Sequence, residues 1–433
     1  MSYEFPRSDI VSLWQETANA RPVFVRVSRT CQFDVAIVGG GYTGLSTARY
    51  LARKGLSCIV LEANRIGWGA SGRNGGVVAG KFRLSFADMA HRFGIEVARR
   101  MHQLGDEAAD HVGELVDDYS ISCDYRSNGA MRCAHNTLAL DNLKRDVQWL
   151  KDALGDTSCT IVGPERVFEE TGSRGFAGGM LNQHGGTIHP LNFVLGFAQG
   201  LKKEGITIAE GEPVLRWWRN GKLVVVETPN AEITVSTVVI ATNAYSDLTG
   251  ATAGVRKSVI PFRSAMIATK PLTGTPAATL LATDRSYSET RRMMRWFRKS
   301  GDRLIYGGRG AFGKTDSKSA FEALRTAMIK QFPELDGVDI THRWSGLVAM
   351  TLDSIPHVGR LDERTVYAMG YNGSGVATAS LMGKYVAELV VGGRPDLGLL
   401  TGTPLKPVPF YGLREPAVRL LAGWYQFLDK IGR

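Results

Sequence analysis

The chain reads as an α/β protein: a Rossmann-like dinucleotide-binding domain, discontinuous in sequence, with an α+β substrate domain inserted into it. Three observations predict this. Residues 33–62, FDVAIVGGGYTGLSTARYLARKGLSCIVLE, run strand, glycine turn, helix and strand, and end on an acid. The middle of the chain then changes from helical to alternating periodicity. A second strand, glycine turn and helix follow at 366–391.

The first unit carries most of the information. Gly39 makes the turn, Gly41 lets the backbone approach a pyrophosphate, and Gly44 lets the helix pack closely on the strand. Tyr42 and Thr43 open the helix, whose unpaired amides and partial positive charge suit phosphate. Glu62, followed by Ala63, stands about 20 positions beyond the glycines, where a carboxylate accepts hydrogen bonds from a ribose. A bare glycine pattern is equally an ordinary turn; the flanking strand, helix and acid make it a nucleotide site.

The next loop, GASGRNGG, sets Gly69, Ala70, Ser71, Gly72, Arg73, Asn74, Gly75 and Gly76 directly after the ribose acid. Its glycines and anion-binding groups predict a loop folded over a cofactor, against a flexible surface loop as the alternative. Helical periodicity follows at 87–119 and 138–154. His189-Pro190 opens a further helix over 191–203, Pro190 suiting the first turn. A strand at 206–209 and a meander at 223–227 and 233–235 lead to a buried strand ending in Ala241, Thr242 and Asn243. That end can lie beside a dinucleotide or be an ordinary strand end.

Residues 255–332 carry strands at 259–268 and 304–308 and a helix at 317–332, and read as the substrate domain. Within them lies Arg291, Arg292, Arg295, Trp296, Phe297 and Arg298. On a strand Trp296 and Arg298 share one face, Arg295 and Phe297 the other; a solvated basic edge is the alternative. RWSG, with Gly346, then leads to Gly370, Tyr371, Asn372, Gly373, Ser374, Gly375 and Val376, a second glycine loop opening a helix. The expected domains are an arm over 1–32; a nucleotide domain over 33–90, 170–250 and 335–400; a substrate domain over 91–169 and 251–334; and an amphipathic C-terminal segment over 401–433 that docks on the body.

With 44% hydrophobic and 22% charged residues over 433 positions, the composition is that of a globular protein. The start, with Glu4, Arg7 and Asp9, is unlike a basic leader, and no apolar run reaches the ~18 residues of a membrane span, so a cytoplasmic protein is expected. Five cysteines without a CxxC pair or histidines at metal spacing predict reduced thiols and no metal. The net charge of +10 is spread along the chain, which argues against nucleic acid and allows steering of an anionic substrate.

Taken in order, the nucleotide fingerprint, GASGRNGG, GGTIHP, ATNAYS, RWSG and GYNGSGV resemble the FAD-dependent amine and amino-acid oxidoreductases of the D-amino acid oxidase and sarcosine oxidase type. Within that family the likeness is greatest to the gamma-glutamylputrescine oxidase branch. The resemblance implies a discontinuous FAD domain with a substrate domain on a mixed sheet. It places the FAD phosphates on Gly39, Gly41 and Gly44, a ribose at Glu62 and adenine near Val214. The flavin ring falls between 69–76 and 370–376.

Two departures narrow the expectation. Sarcosine oxidases of this type attach flavin through a cysteine after the tryptophan strand; residues 346–356 hold none, so the FAD is expected to be non-covalent. D-amino acid and glycine oxidases carry a carboxylate-binding arginine in G-x-R-P, where this chain has Gly346-Leu347-Val348-Ala349. Arg298 is the first candidate to replace it, then Arg295, Arg263 and Arg309, with Trp296, Tyr371 and His189 as further pocket residues; a structural capping role competes at His189. The implied chemistry is hydride transfer from the carbon beside a neutral amine to flavin N5, then imine hydrolysis, with no acid or base assigned. Aromatic walls such as Tyr371, Trp296 and Phe297 favour the uncharged amine. The favoured substrate is a carboxylated secondary amine or amino acid such as an N-substituted glycine, iminodiacetate or a cyclic imino acid, with oxygen or a respiratory carrier as acceptor. A polyamine-conjugate oxidase and a flavin-bearing or nucleic-acid-binding partner without amine turnover are the alternatives, and a homo-oligomer is open.

Overall fold

Val35–Val38 is buried at all four positions, as only a strand inside a sheet covered on both faces can be. In the computed structural model, which describes residues 10–27, 29–311, 317–402 and 404–430 apart from the side chains of 309–311, 426 and 430, it is central to a six-stranded sheet. The order is His357–Asp362, Thr365–Met369, Thr237–Ile240, Val35–Val38, Cys58–Glu62 and Thr207–Glu210. All neighbours are parallel except the His357–Asp362 edge. A smaller sheet, Cys31–Gln32 with the meander Arg216–Asn220, Leu223–Glu227 and Glu232–Val235, covers one side.

The second body is an eight-stranded mixed sheet. Ile260–Thr269 pairs with both Ile340–Met350 and Arg303–Ala311, and the sheet continues through Arg295–Ser300, Ser286–Glu289, Ala130–Ala134, Gly178–Asn182 and Cys159–Val162. Strand alternation divides its side chains between two cores. Ile267, Tyr306, Phe297, Tyr287 and Met131 are in register and pack on one face in a cluster with Phe321, Leu324 and Phe332. Met266 and Trp344 belong to the core of the nucleotide domain, with Trp296 packed against it.

Three elements therefore fall on the other side of the domain boundaries expected from the sequence. Ile340–Met350 and Gly178–Asn182, expected in the nucleotide domain, are strands of the eight-stranded sheet. Helix Ile95–Asp118, expected in the substrate domain, buries Met101, Leu104, Ala108 and Val112 in the nucleotide core. The helical period gives the apolar stripe and leaves open which sheet covers it.

Candidate active site

Two glycine-headed helices define the site. Tyr42–Arg53 starts at Gly41, and Gly375–Val390 starts after Ser374. They pack on each other so tightly that a β-carbon at Gly383 would lie 2.4 Å from the Ser46 β-carbon. Their N-termini consequently converge: the Tyr371 and Thr43 hydroxyls are 2.6 Å apart, and the Gly370 amide donates to Asn243 Oδ1 at 2.9 Å. Loops separated by more than a hundred residues each become one wall.

That wall lines a cavity of about 1070 Å³, at the top of the ~300–1,000 Å³ range of small-molecule sites. Gly39, Gly41, Tyr42, Thr43, Glu62 and Ala63 line it, followed by Gly69, Ala70, Ser71, Arg73, Asn74 and Gly75. Val214, Ala241, Thr242, Asn243, Gly346, Tyr371, Asn372, Gly373, Ser374, Gly375 and Val376 complete the predicted set. Gly44, Gly72, Gly76 and Gly370 do not line it; they pack behind it, where a β-carbon would come within 2.0 to 2.3 Å of Gly39, Gly67, Ile188 and Thr351 respectively.

The residues present fit FAD. Gly39 has φ +109 and faces the Ala241 carbonyl, and the Gly41 backbone stands bare toward the cavity opposite Ser71. Both supply the unobstructed approach a pyrophosphate needs. Glu62 is held by the Gly40 and Asn64 amides, each at 2.9 Å. Burial pushes its carboxyl pKa up while those two amides pull it down.

The Gly69–Gly76 stretch is fastened down. Trp14 Nε1 donates to the Asn74 carbonyl at 2.8 Å, and Trp344 Nε1 to that of Arg73 at 3.1 Å. Arg73 Nε donates to the Ser345 carbonyl at 2.7 Å. Both tryptophans are completely buried, so the lead-in arm and the substrate sheet clamp the loop from two sides.

Among the expected substrate residues, Trp296 and Tyr371 line the cavity, and Arg298, Arg295, Arg263 and His189 do not. Arg298 shares the Trp296 face as predicted, but it is 4% exposed and its guanidinium donates to the carbonyls of Gly76 at 2.7 Å, Ile188 at 2.9 Å and Lys299 at 3.0 Å. It cross-links a buried turn, adding a donor to the Gly76 carbonyl, which also accepts from the Ile188 amide at 2.9 Å. Burial lowers its pKa to about 10. Arg295 and Arg291 flank the buried Glu289, and Arg263 donates to Ser345 Oγ at 2.7 Å. His189 caps helix Pro190–Lys203: Nδ1 accepts from the Asn192 amide at 3.1 Å and Nε2 meets Thr17 Oγ1 at 3.0 Å. Phe297 points into the opposite core. The Arg309 side chain lies outside the described residues.

Sequence reasoning missed the floor and roof. Phe262, Ser264 and Met266 come from Ile260–Thr269, and Val418, Leu421, Ala422 and Tyr425 from helix Arg414–Lys430. Asp429 of that helix accepts from the Arg292 and Met293 amides, both at 2.9 Å. The amphipathic pattern of the helix was visible; its position over the cavity depends on contacts far apart in sequence.

A parallel sheet with glycine-headed helices at a dinucleotide cradle, opening beneath a second sheet, defines a cofactor-dependent oxidoreductase. The match to the family model "FAD dependent oxidoreductase" (DAO) spans residues 34–389, and the chain belongs to that family. It is 31% identical over 424 residues to the gamma-glutamylputrescine oxidoreductase of Escherichia coli, covering 97% of this chain and 98% of that protein. It is 32% identical over 408 residues to the probable oxidoreductase OrdL of Haemophilus influenzae, covering 92% of each. Glycine oxidase from Geobacillus kaustophilus has the same fold, with a TM-score of 0.71 at 22% identity over 87% of this chain and 99% of that one. Among the described residues no helix is long and apolar enough to cross a membrane, and no group of side chains forms a metal site.

Proposed function

We propose that this enzyme oxidises the C–N bond of an amine or amino acid that also carries a carboxylate. The observation that supports this best is the continuity of the cavity from the Gly39–Gly41 cradle, past Gly75 and Tyr371, to the Trp296 face of the substrate sheet. FAD, when bound non-covalently, supplies the hydride acceptor. The protein binds and orients: glycine backbone at the pyrophosphate, Glu62 at a ribose, Val214 at the adenine end. Trp296, Met266 and Phe262 present apolar surface to the amine, favouring the uncharged form, whose lone pair is required for oxidation. The Tyr371 hydroxyl is bonded to Thr43 and acts in positioning, with no proton-transfer role assigned to it. The imine product is hydrolysed by water.

A gamma-glutamylputrescine-type activity is the second reading, favoured by likeness over nearly the whole of both chains. The deciding experiment is anaerobic bleaching of the flavin absorbance by a panel of primary amines, secondary amines and amino acids. Bleaching by carboxylated amines is expected; a flavin that no amine reduces would sink the proposal.

A further inference from the structure

The register of the eight-stranded sheet aligns one row across its cavity face: Met266, Gly307, Trp296, Ser288, Arg132 and Met180. The Trp296 indole leans over Gly307, where a β-carbon would lie 2.3 Å from its Nε1. On its other side the row falls to the small Ser288 and rises again at Arg132, so the two large residues bound a trough.

Among the described residues five arginines line the cavity, and four are engaged. Arg73 donates to Ser345 and Arg291 to Glu289, Arg292 has partners of its own, and Arg83 reaches the Met350 sulfur at 4.0 Å. Arg132 makes no hydrogen bond and no ion pair among the described residues. Its side chain is open to water, yet burial lowers its pKa, with Asp146 raising it. Water therefore reaches this guanidinium inside the cavity. Of the other charges at that end, His102 bridges Asp106 at 3.3 Å and Asp156 at 3.0 Å, and Asp106 also faces His184 at 3.5 Å, while Asp146 lines the cavity near Arg132 and makes no hydrogen bond or ion pair among the described residues.

We propose that Arg132 anchors the substrate's carboxylate, and that this carboxylate lies remote from the oxidised C–N bond. The guanidinium is a planar fork with its donors available, on a strand that holds it in place. Side chains stand roughly perpendicular to a sheet, so its separation from Trp296 is close to two strand spacings, about 10 Å. That is the reach of about three extended peptide units. A carboxylate on the carbon next to the nitrogen is too near to meet Arg132 while the amine lies beside Trp296. The preferred substrates are elongated amines with an anionic far end.

This rests on the amine-oxidation reading, and the test separates the two. Anaerobic flavin reduction is measured with ω-amino acids of increasing length, matched n-alkylamines and short α-amino acids, on wild type, Arg132→Met, Arg132→Lys and Arg83→Met, with FAD content and Tm recorded for each. Wild type should favour the longer ω-amino acids. Arg132→Met should raise their half-saturation concentration by about 10- to 150-fold, the worth of a charged hydrogen bond. Its limiting rate and its alkylamine and α-amino acid kinetics should be unchanged, and Arg132→Lys should recover part of the loss. Failure of every amine to reduce wild type rejects the functional reading itself. With amine oxidation intact, the anchor is rejected by no wild-type preference for ω-amino acids, by equal losses on charged and uncharged substrates, by Arg83→Met reproducing the selective loss, or by Arg132→Lys being as impaired on every substrate as Arg132→Met.

Discussion

Substituting Gly44 by alanine tests the architecture of the cofactor cradle. The added β-carbon would lie 2.0 Å from the Gly39 carbonyl oxygen and 3.2 Å from Ile37 Cγ2. A carbon and a carbonyl oxygen approach to about 3.3 Å at closest, so helix and turn must separate by about 1.3 Å. No side-chain rotation relieves the clash, because the obstructing atom belongs to the backbone. Overpacking of this kind costs about 1–3 kcal/mol. Because Gly39 and Gly41 move with it, FAD binding should weaken by about 10- to 100-fold. Titrating apoprotein with FAD, together with the flavin-to-protein absorbance ratio and Tm, measures this. Gly254→Ala, where nothing lies within 4 Å, is the control and should bind FAD normally. Unaltered FAD affinity and Tm in Gly44→Ala would refute the proposed role of helix–turn contact.

Tyr371→Phe removes the 2.6 Å link to Thr43 and leaves a buried hydroxyl unpaired, so it should cost about 1–3 kcal/mol and lower Tm; a Thr43→Val double-mutant cycle should show coupling, and strictly additive effects would contradict the link. Arg298→Met strips donors from the Gly76 and Ile188 carbonyls and should lower the urea midpoint by an amount equivalent to about 3 kcal/mol or more, whereas a raised KM with normal stability would restore it as a substrate clamp. His189 has its pKa lowered from 6.5 to about 4, chiefly by burial. Below pH 6.5 the unfolded chain takes up a proton that the native state refuses until about pH 4, so stability present above that window is lost as pH falls through it. The loss amounts to about 3 kcal/mol. Urea midpoints at pH 7 and 4.5 should differ less in His189→Asn than in wild type; an equal slope in both would rule out this histidine as the source.

By itself the sequence determined the local chemistry. Glycine spacing, the acid at Glu62, the 69–76 loop and the late glycine turn follow from short-range constraints on turns, helix N-termini and phosphate approach, and almost all of those residues line one cavity. The His189-Pro190 cap and the Trp296/Arg298 face could also be read from period and position. The tertiary structure decided which of several similar side chains is left available. Arg298 and Arg132 are both strand arginines on the same sheet; only one meets buried backbone carbonyls, because only one lies against the Gly76 turn. Likewise, Phe262, Met266 and the C-terminal helix reach the site through strand register and helix docking across hundreds of residues. A polar group's role depends on which partners surround it, and those are fixed by packing that no local pattern encodes.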